Sequence, residues 1–154
     1  MENNNVDVLN KEIDLIQSCI GRMAQNSFLV KGWLITLIAV VLALLPENFN
    51  IRGLCIVGLA ITICFWYLDA FFLKTEKLYR WKYEWVIQNR MSSQSHFYDL
   101  NPYNKEMWTL IKEGVVKQEP SIVGVMLTKT LIPMYGTLLV CIIALFINSY
   151  TCWF

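Results

Sequence analysis

Apolar and polar positions fall in long blocks along the chain, and the blocks define the elements. Three runs, 28–45, 54–73 and 131–147, are almost free of charge. Each is close to the ~20 residues that a helix needs to cross a hydrocarbon core roughly 30 Å thick. Ahead of the first run, Leu9, Ile13, Ile16, Ile20 and Met23 recur at alternating spacings of four and three, which puts them on one stripe of a helix over 6–25. The same phase continues through Ser27, Val30, Leu34, Leu37, Val41 and Leu44, so this amphipathic helix and the first span are predicted to form one rod. A stripe of this kind needs a partner. The stretch 74–91 supplies one, because it keeps helical character beyond the second run and carries Leu78, Trp81 and Trp85 on a stripe of its own. A hairpin within the chain and a seam between two copies both satisfy the pattern.

The connections read as follows. Residues 46–51 hold Pro46, Asn48 and Asn50 and predict a short turn, since proline breaks a helix and asparagine tolerates turn conformations. Glu76, Arg80 and Glu84 stand at the i,i+4 spacing that lets opposite charges meet on a helix. Residues 92–104 are polar and contain Pro102 and His96, which reads as a loop. A short amphipathic helix carrying Met107, Leu110, Ile111 and Val115 follows, placed either on the rods or along the membrane surface. Pro120 introduces the last segment, and Pro133 predicts a kink in the third span.

With 154 residues and 56% hydrophobic content, there is room for one helical membrane domain with a modest polar cap, and none for a separate soluble catalytic domain. The fold class is therefore an all-α membrane protein with three transmembrane helices and long cytoplasmic helical extensions. Charge sets an orientation. Of thirteen Lys and Arg residues, all but Arg52 lie on one side of the three runs, and basic residues in short loops stay cytoplasmic. This predicts a cytoplasmic N-terminus and a C-terminus on the far side. The net charge of +1 gives no field suited to nucleic acid; the basic segments fit membrane lipid headgroups. The acidic, polar start is unlike a secretory signal and predicts that the N-terminal segment is retained. The five cysteines show no CxxC, and Cys64 and Cys141 read as small apolar residues. A disulfide between Cys55 and Cys152, both expected near the far face, is the minority option.

Asp69 is the most informative single residue, because a carboxylate among Phe65, Trp66, Tyr67, Leu68, Ala70, Phe71 and Phe72 needs a partner or water. At 1.5 Å per residue, Lys31 lies about 21 Å inward from Leu45 and Asp69 roughly 22 Å inward from Leu54. Equal depth points to an intramembrane Lys31–Asp69 pair, with Arg22 and Lys129 as competitors for the carboxylate. The plainer reading of that pair is that it fixes helix orientation, or that Lys31 snorkels to the headgroups; the sharper one is a part in conduction or gating. Lys129, about 27 Å inward from Ile147, reads as a rim residue. Trp33, Trp66, Tyr150 and Trp153 fit interfacial belts, whereas the group from Tyr79 to Trp85 reaches beyond a belt and fits packing between rods. Small residues such as Gly53 and Gly58 form no clean GxxxG within a span. No motif for an enzyme, metal or cofactor emerges: one His, no HExxH, no phosphate-cradling glycine loop and no serine elbow.

The stretch IQSCIGRMAQNSFLVKGW, a span, a short turn and then FWYLDAFFLKTEKLYRWKY resemble the SLATT family of small two-span bacterial membrane effector domains. The likeness covers residues 16–83, about half the chain. It rests on an Arg-Met-Ala-x-Asn-Ser-Phe entry to the first span and a Tyr-Leu-Asp exit from the second. It implies an effector of the bacterial inner membrane in an antiphage system, one that homo-oligomerises and permeabilises the membrane when a cytoplasmic protein partner senses infection. It also directs attention to Arg22, Asn26, Lys31 and Asp69, and Lys129 joins them as a candidate for assembly or gating. The third span departs from the two-span pattern and puts pore architecture in question. The alternative is a non-conducting anchor or sensor that binds a soluble partner through 92–119. A small transporter or enzyme comes third, because no span offers a paired set of polar groups for a substrate.

Overall fold

The long stripe becomes a single helix: α1 runs Glu2–Ala43, through both the amphipathic stretch and the first apolar run. The computed structural model describes residues 2–44, 50–93, 95–108 and 117–151. Helix α2 spans Ile51–Asn89 and carries the second apolar run into the predicted extension without a break. It begins at Ile51, inside the predicted turn, because Asn50 caps it: the Asn50 side-chain oxygen accepts from the Gly53 N–H at 3.3 Å and its carbonyl accepts from Leu54 N–H at 3.1 Å. The rest of that turn, with Pro46, lies outside the described residues. A short helix α3, Ile122–Met126, and the 20-residue α4, Ile132–Thr151, complete the order. Three of the helices are long and apolar enough to cross a membrane, and the protein is all-α.

The chain divides into two compact units, one of residues 1–25 and 72–120 and one of residues 26–71 and 121–154. In the first, the polar unit, the predicted stripe meets the second helix. Ile16 and Cys19 of α1 bury against Tyr79, Trp85 and Val86 of α2 and against Met107, while Leu9, Ile13, Ile20 and Met23 pack around them. The α2 stripe, however, divides. Trp85 joins this core and Leu78 is fully buried, but half-buried Trp81 turns to an edge-on contact with Trp108 and lies under the Lys77 and Lys117 ammonium groups. Tyr79, Tyr83 and Val86, on a neighbouring face, join Trp85 against α1. After α2 a polar loop leads to a single 3-10 turn, Lys105–Trp108, whose Met107 and Trp108 are buried. Leu110, Ile111 and Val115 of the predicted amphipathic helix lie outside the described residues.

In the second, the span unit, the third apolar run starts afresh. Ser121 caps α3 by accepting the Gly124 N–H at 3.0 Å, and a Cβ at Gly124 would come within 2.9 Å of that hydroxyl oxygen, so only glycine lets the cap close without displacement. The chain then turns through 127–131 and re-enters a helix at Ile132. Pro133 is the second residue of α4, in the first turn where a missing N–H costs no helical bond, so a helix start stands where the sequence predicts a kink. Few residues of the spans are buried by the chain itself: 17% of the most apolar stretch of α1, 17% of that of α2 and 6% of that of α4.

Candidate functional site

Asp69 projects from α2 with no exposed surface, and three side chains from two other helices converge on it. Ser27 and Lys31 stand one turn apart on α1, so both reach the same point. Lys31 Nζ lies 2.6 Å from Asp69 Oδ2, and the Ser27 hydroxyl donates to Asp69 Oδ1 at 2.5 Å. Lys31 also donates to Ser27 Oγ at 2.8 Å, which makes the serine a relay that accepts from the cation while donating to the anion. From α4, Tyr135 donates its hydroxyl to Asp69 Oδ2 at 3.0 Å. Tyr135 is itself fully buried and stacks on Trp66 with ring centroids 5.7 Å apart and planes 5° from parallel. Trp66 in turn donates its indole N–H to the Met126 carbonyl at 3.1 Å, beside the turn that starts α4. Helices α1, α2 and α4 therefore each place a polar side chain in this cluster, and α3 is linked to it through Trp66.

The cluster answers the cost of a charge in an apolar bundle. An isolated carboxylate among aromatic side chains is disfavoured, whereas one that accepts from an ammonium and two hydroxyls recovers most of its lost hydration. Lys31 keeps 27% of its side chain exposed while Asp69 keeps none, so the cation is the member with a way out. Among the described residues, no hydrogen bond or ion pair joins the other candidates to the carboxylate. Lys129 is exposed in the turn before α4, and Asn26 is half-buried on α1. Arg22 is exposed and donates to the Cys19 sulfur at 3.1 Å within the polar unit. Cys152, half of the considered disulfide, lies outside the described residues.

The polar unit holds a second constellation. Arg90 and Glu12 form a two-pronged ion pair, with Nη2 to Oε1 at 2.8 Å, and Glu12 Oε1 also accepts the Tyr98 N–H at 2.7 Å. Arg90 donates further to the carbonyls of Ser93, Ser95 and His96. These contacts pin a loop in which His96 and Tyr98 take left-handed backbone conformations, φ 58° and 51°, that residues with a side chain adopt at some cost. Buried Lys82 donates to the Asn101 carbonyl at 2.9 Å and pairs with Asp99 at 3.2 Å. Burial pushes the Lys82 ammonium below its ordinary value, against the pull of Asp99. Burial likewise raises the Tyr79 hydroxyl, which donates to the Leu100 carbonyl at 3.1 Å.

A signal for Glu12 was present in the sequence: it stands three residues after Leu9 and four before Ile16, a charge on an apolar stripe. On the exposed side of α2, Arg80 pairs back to Glu76 at 2.6 Å, and Glu84 is taken by Lys117 at 2.5 Å. Among the described residues, no group of three or more His, Cys, Asp or Glu side chains is placed to hold a metal ion. No protein-family model matches the chain, and neither does any curated protein or solved structure.

Proposed function

We propose that this protein is a membrane-embedded effector of the antiphage kind implied by its likeness to the SLATT family. On this reading it sits in the bacterial inner membrane with its N-terminus in the cytoplasm. It homo-oligomerises and perturbs or permeabilises the membrane when a cytoplasmic protein partner reports infection. The observation that carries the reading is the Asp69 cluster. Van der Waals packing and interhelical hydrogen bonds together hold helices to one another in lipid, and a buried ion pair adds little net stability over apolar side chains of similar size. What such a pair does supply is a discrete, breakable arrangement, because pulling one partner away leaves an expensive charge behind. Lys31 has a route to the surface and Asp69 has none, so loss of the pair forces the carboxylate to find water or a new partner, and either outcome opens the bundle. The largely uncovered surface of α4 leaves room for copies of the chain to meet.

A second reading, a non-conducting anchor or sensor that recruits a soluble partner, is favoured by one observation. Among the described residues, no buried side-chain nitrogen or oxygen lacks a hydrogen-bond partner. The described part of one chain therefore offers no unpaired buried polar side chain as a foothold for a polar path. Dye uptake and membrane potential in induced cells separate the readings. An effector collapses the potential and admits dye on activation, and Asp69→Asn changes the threshold. An anchor leaves membranes intact under every activating condition and co-purifies with a soluble partner.

A further inference from the structure

The span unit contains an apolar crevice of about 250 Å³ between α1, α2 and α4, walled by Leu34, Val41, Gly58, Ile61 and Leu145 among others. Its polar members are muted: the Thr62 hydroxyl donates back to the Gly58 carbonyl at 2.8 Å, and Cys55 and Cys141 are free thiols. From Leu54 to Thr62 the crevice runs about 12 Å at 1.5 Å per residue. That is close to one leaflet of a hydrocarbon core roughly 30 Å thick. It ends before the Asp69 cluster, which lies a further ~10 Å along α2.

A cation stands at the other end. Leu138, Ile142, Leu145 and Ser149 recur at spacings of four, three and four, so Ser149 continues the crevice-lining stripe of α4 one turn, about 6 Å, beyond Leu145. Arg52 donates to the Ser149 carbonyl at 3.3 Å, and its guanidinium lies 4.3 Å from the centre of the Tyr150 ring. No carboxylate pairs with Arg52 among the described residues. The only described acidic side chain of the span unit is Asp69, held in its own cluster.

We infer that this crevice is a binding site for one anionic glycerophospholipid, with an acyl chain along the groove and the phosphate on Arg52. The charge, the single-leaflet length and the separation between cation and groove match that chemistry together. A hydrocarbon chain replaces lost packing inside the bundle, and the guanidinium offers a phosphate the N–H groups that Ser149 leaves over. The lipid would thereby tie α4 to the α1–α2 hairpin at the end of the bundle away from Asp69.

The test uses the full chain in detergent and native mass spectrometry with added phosphatidylglycerol or phosphatidylcholine of identical acyl chains. Wild type is expected to hold one phosphatidylglycerol per chain at about fivefold lower lipid concentration than phosphatidylcholine, as one basic side chain near a lipid surface contributes about 1 kcal/mol. Arg52→Gln abolishes the preference. Gly58→Leu fills the groove and abolishes retention of both lipids; a Cβ there meets only Ile142 Cδ1 at 3.8 Å, so the longer side chain has room to enter the crevice. Cys141→Phe, entering from an exposed position, gives the same loss and stands in should Gly58→Leu fail to fold. Equal retention of the two lipids by wild type, or unchanged retention in both Arg52→Gln and Cys141→Phe, overturns the proposal. So does a Cys141–Cys141 crosslink between copies that excludes lipid, which would assign the groove to a second chain.

Discussion

Glu12 and Arg90, 78 positions apart, form the most deeply buried ion pair among the described residues, with 3% and 2% of their side chains exposed. Arg90 spends all five of its N–H groups: Nε and one Nη2 hydrogen on Glu12, the other on the His96 carbonyl, and both on Nη1 on the Ser93 and Ser95 carbonyls. The pair joins the start of α1 to the end of α2 and holds the following loop in shape. Glu12→Gln is expected to destabilise the polar unit by about 3–5 kcal/mol, as removal of one partner leaves the other charge buried. Replacing both with apolar residues should not restore stability, because three loop carbonyls lose their donor at once. Thermal unfolding in detergent measures both; full recovery in Glu12→Leu/Arg90→Met would reject this account.

The Asp69 cluster makes a graded prediction. Lys31→Met strands the carboxylate and is expected to cost about 3–5 kcal/mol. Tyr135→Phe removes one hydrogen bond to a charged group and costs roughly 1.5–3 kcal/mol. The two losses should not add, since both variants disturb one carboxylate. A double-mutant cycle read from melting shifts checks this. Strict additivity would mean that Tyr135 and Lys31 act on separate features.

These two clusters differ in how much of them the sequence discloses. Lys31 and Asp69 are charges inside apolar runs, and helical rise alone sets them at equal depth, so their pairing is legible. Ser27 is half legible, as a polar position in phase with a buried stripe. Tyr135 is not, because the rise along the first two spans says nothing about the register of a third that restarts at Ile132. Glu12 is legible as a charge on the apolar stripe of α1, but its partner Arg90 is not. The second half of α2 carries apolar or aromatic residues almost all round, at 78, 79, 81, 83, 85 and 86, so periodicity alone does not single out its buried face. The stripe read from helical spacing, Leu78, Trp81 and Trp85, leaves out Val86 and therefore Arg90.

Acid should loosen the loop through Asp99. Burial by itself would raise this carboxyl. It is outweighed by the Asn104 side chain at 2.7 Å, the Asn101 N–H at 2.7 Å and Lys82 at 3.2 Å, so the group sits below its ordinary value. The folded form then binds fewer protons than the unfolded form between the two values, and stability rises with pH there. The contribution is complete above the unfolded value near ~4 and disappears as pH falls through the lower folded one. The melting gap between wild type and Asp99→Asn is expected to be flat above about pH 5 and to shrink below about pH 4. A gap that widens in acid would contradict the assignment.

Orientation carries the last prediction, and its energetics are one-sided. Placing a basic residue at the centre of a span costs about 2.5–3.5 kcal/mol, and even in loops Lys and Arg bias which side is retained. An inverted chain would have to carry every Lys and Arg except Arg52 across the membrane, whereas the expected orientation carries Arg52 alone. A variant in which Cys19, Cys55, Cys64 and Cys141 are replaced by serine or alanine leaves Cys152 as its single thiol. A membrane-impermeant maleimide added to intact spheroplasts is expected to label it. If the label appears only after the membrane is opened, or only from the cytosolic side of inverted vesicles, then charge asymmetry does not govern how this bundle inserts. The proposed placement of the polar unit in the cytoplasm, where a partner would meet it, would fail with it.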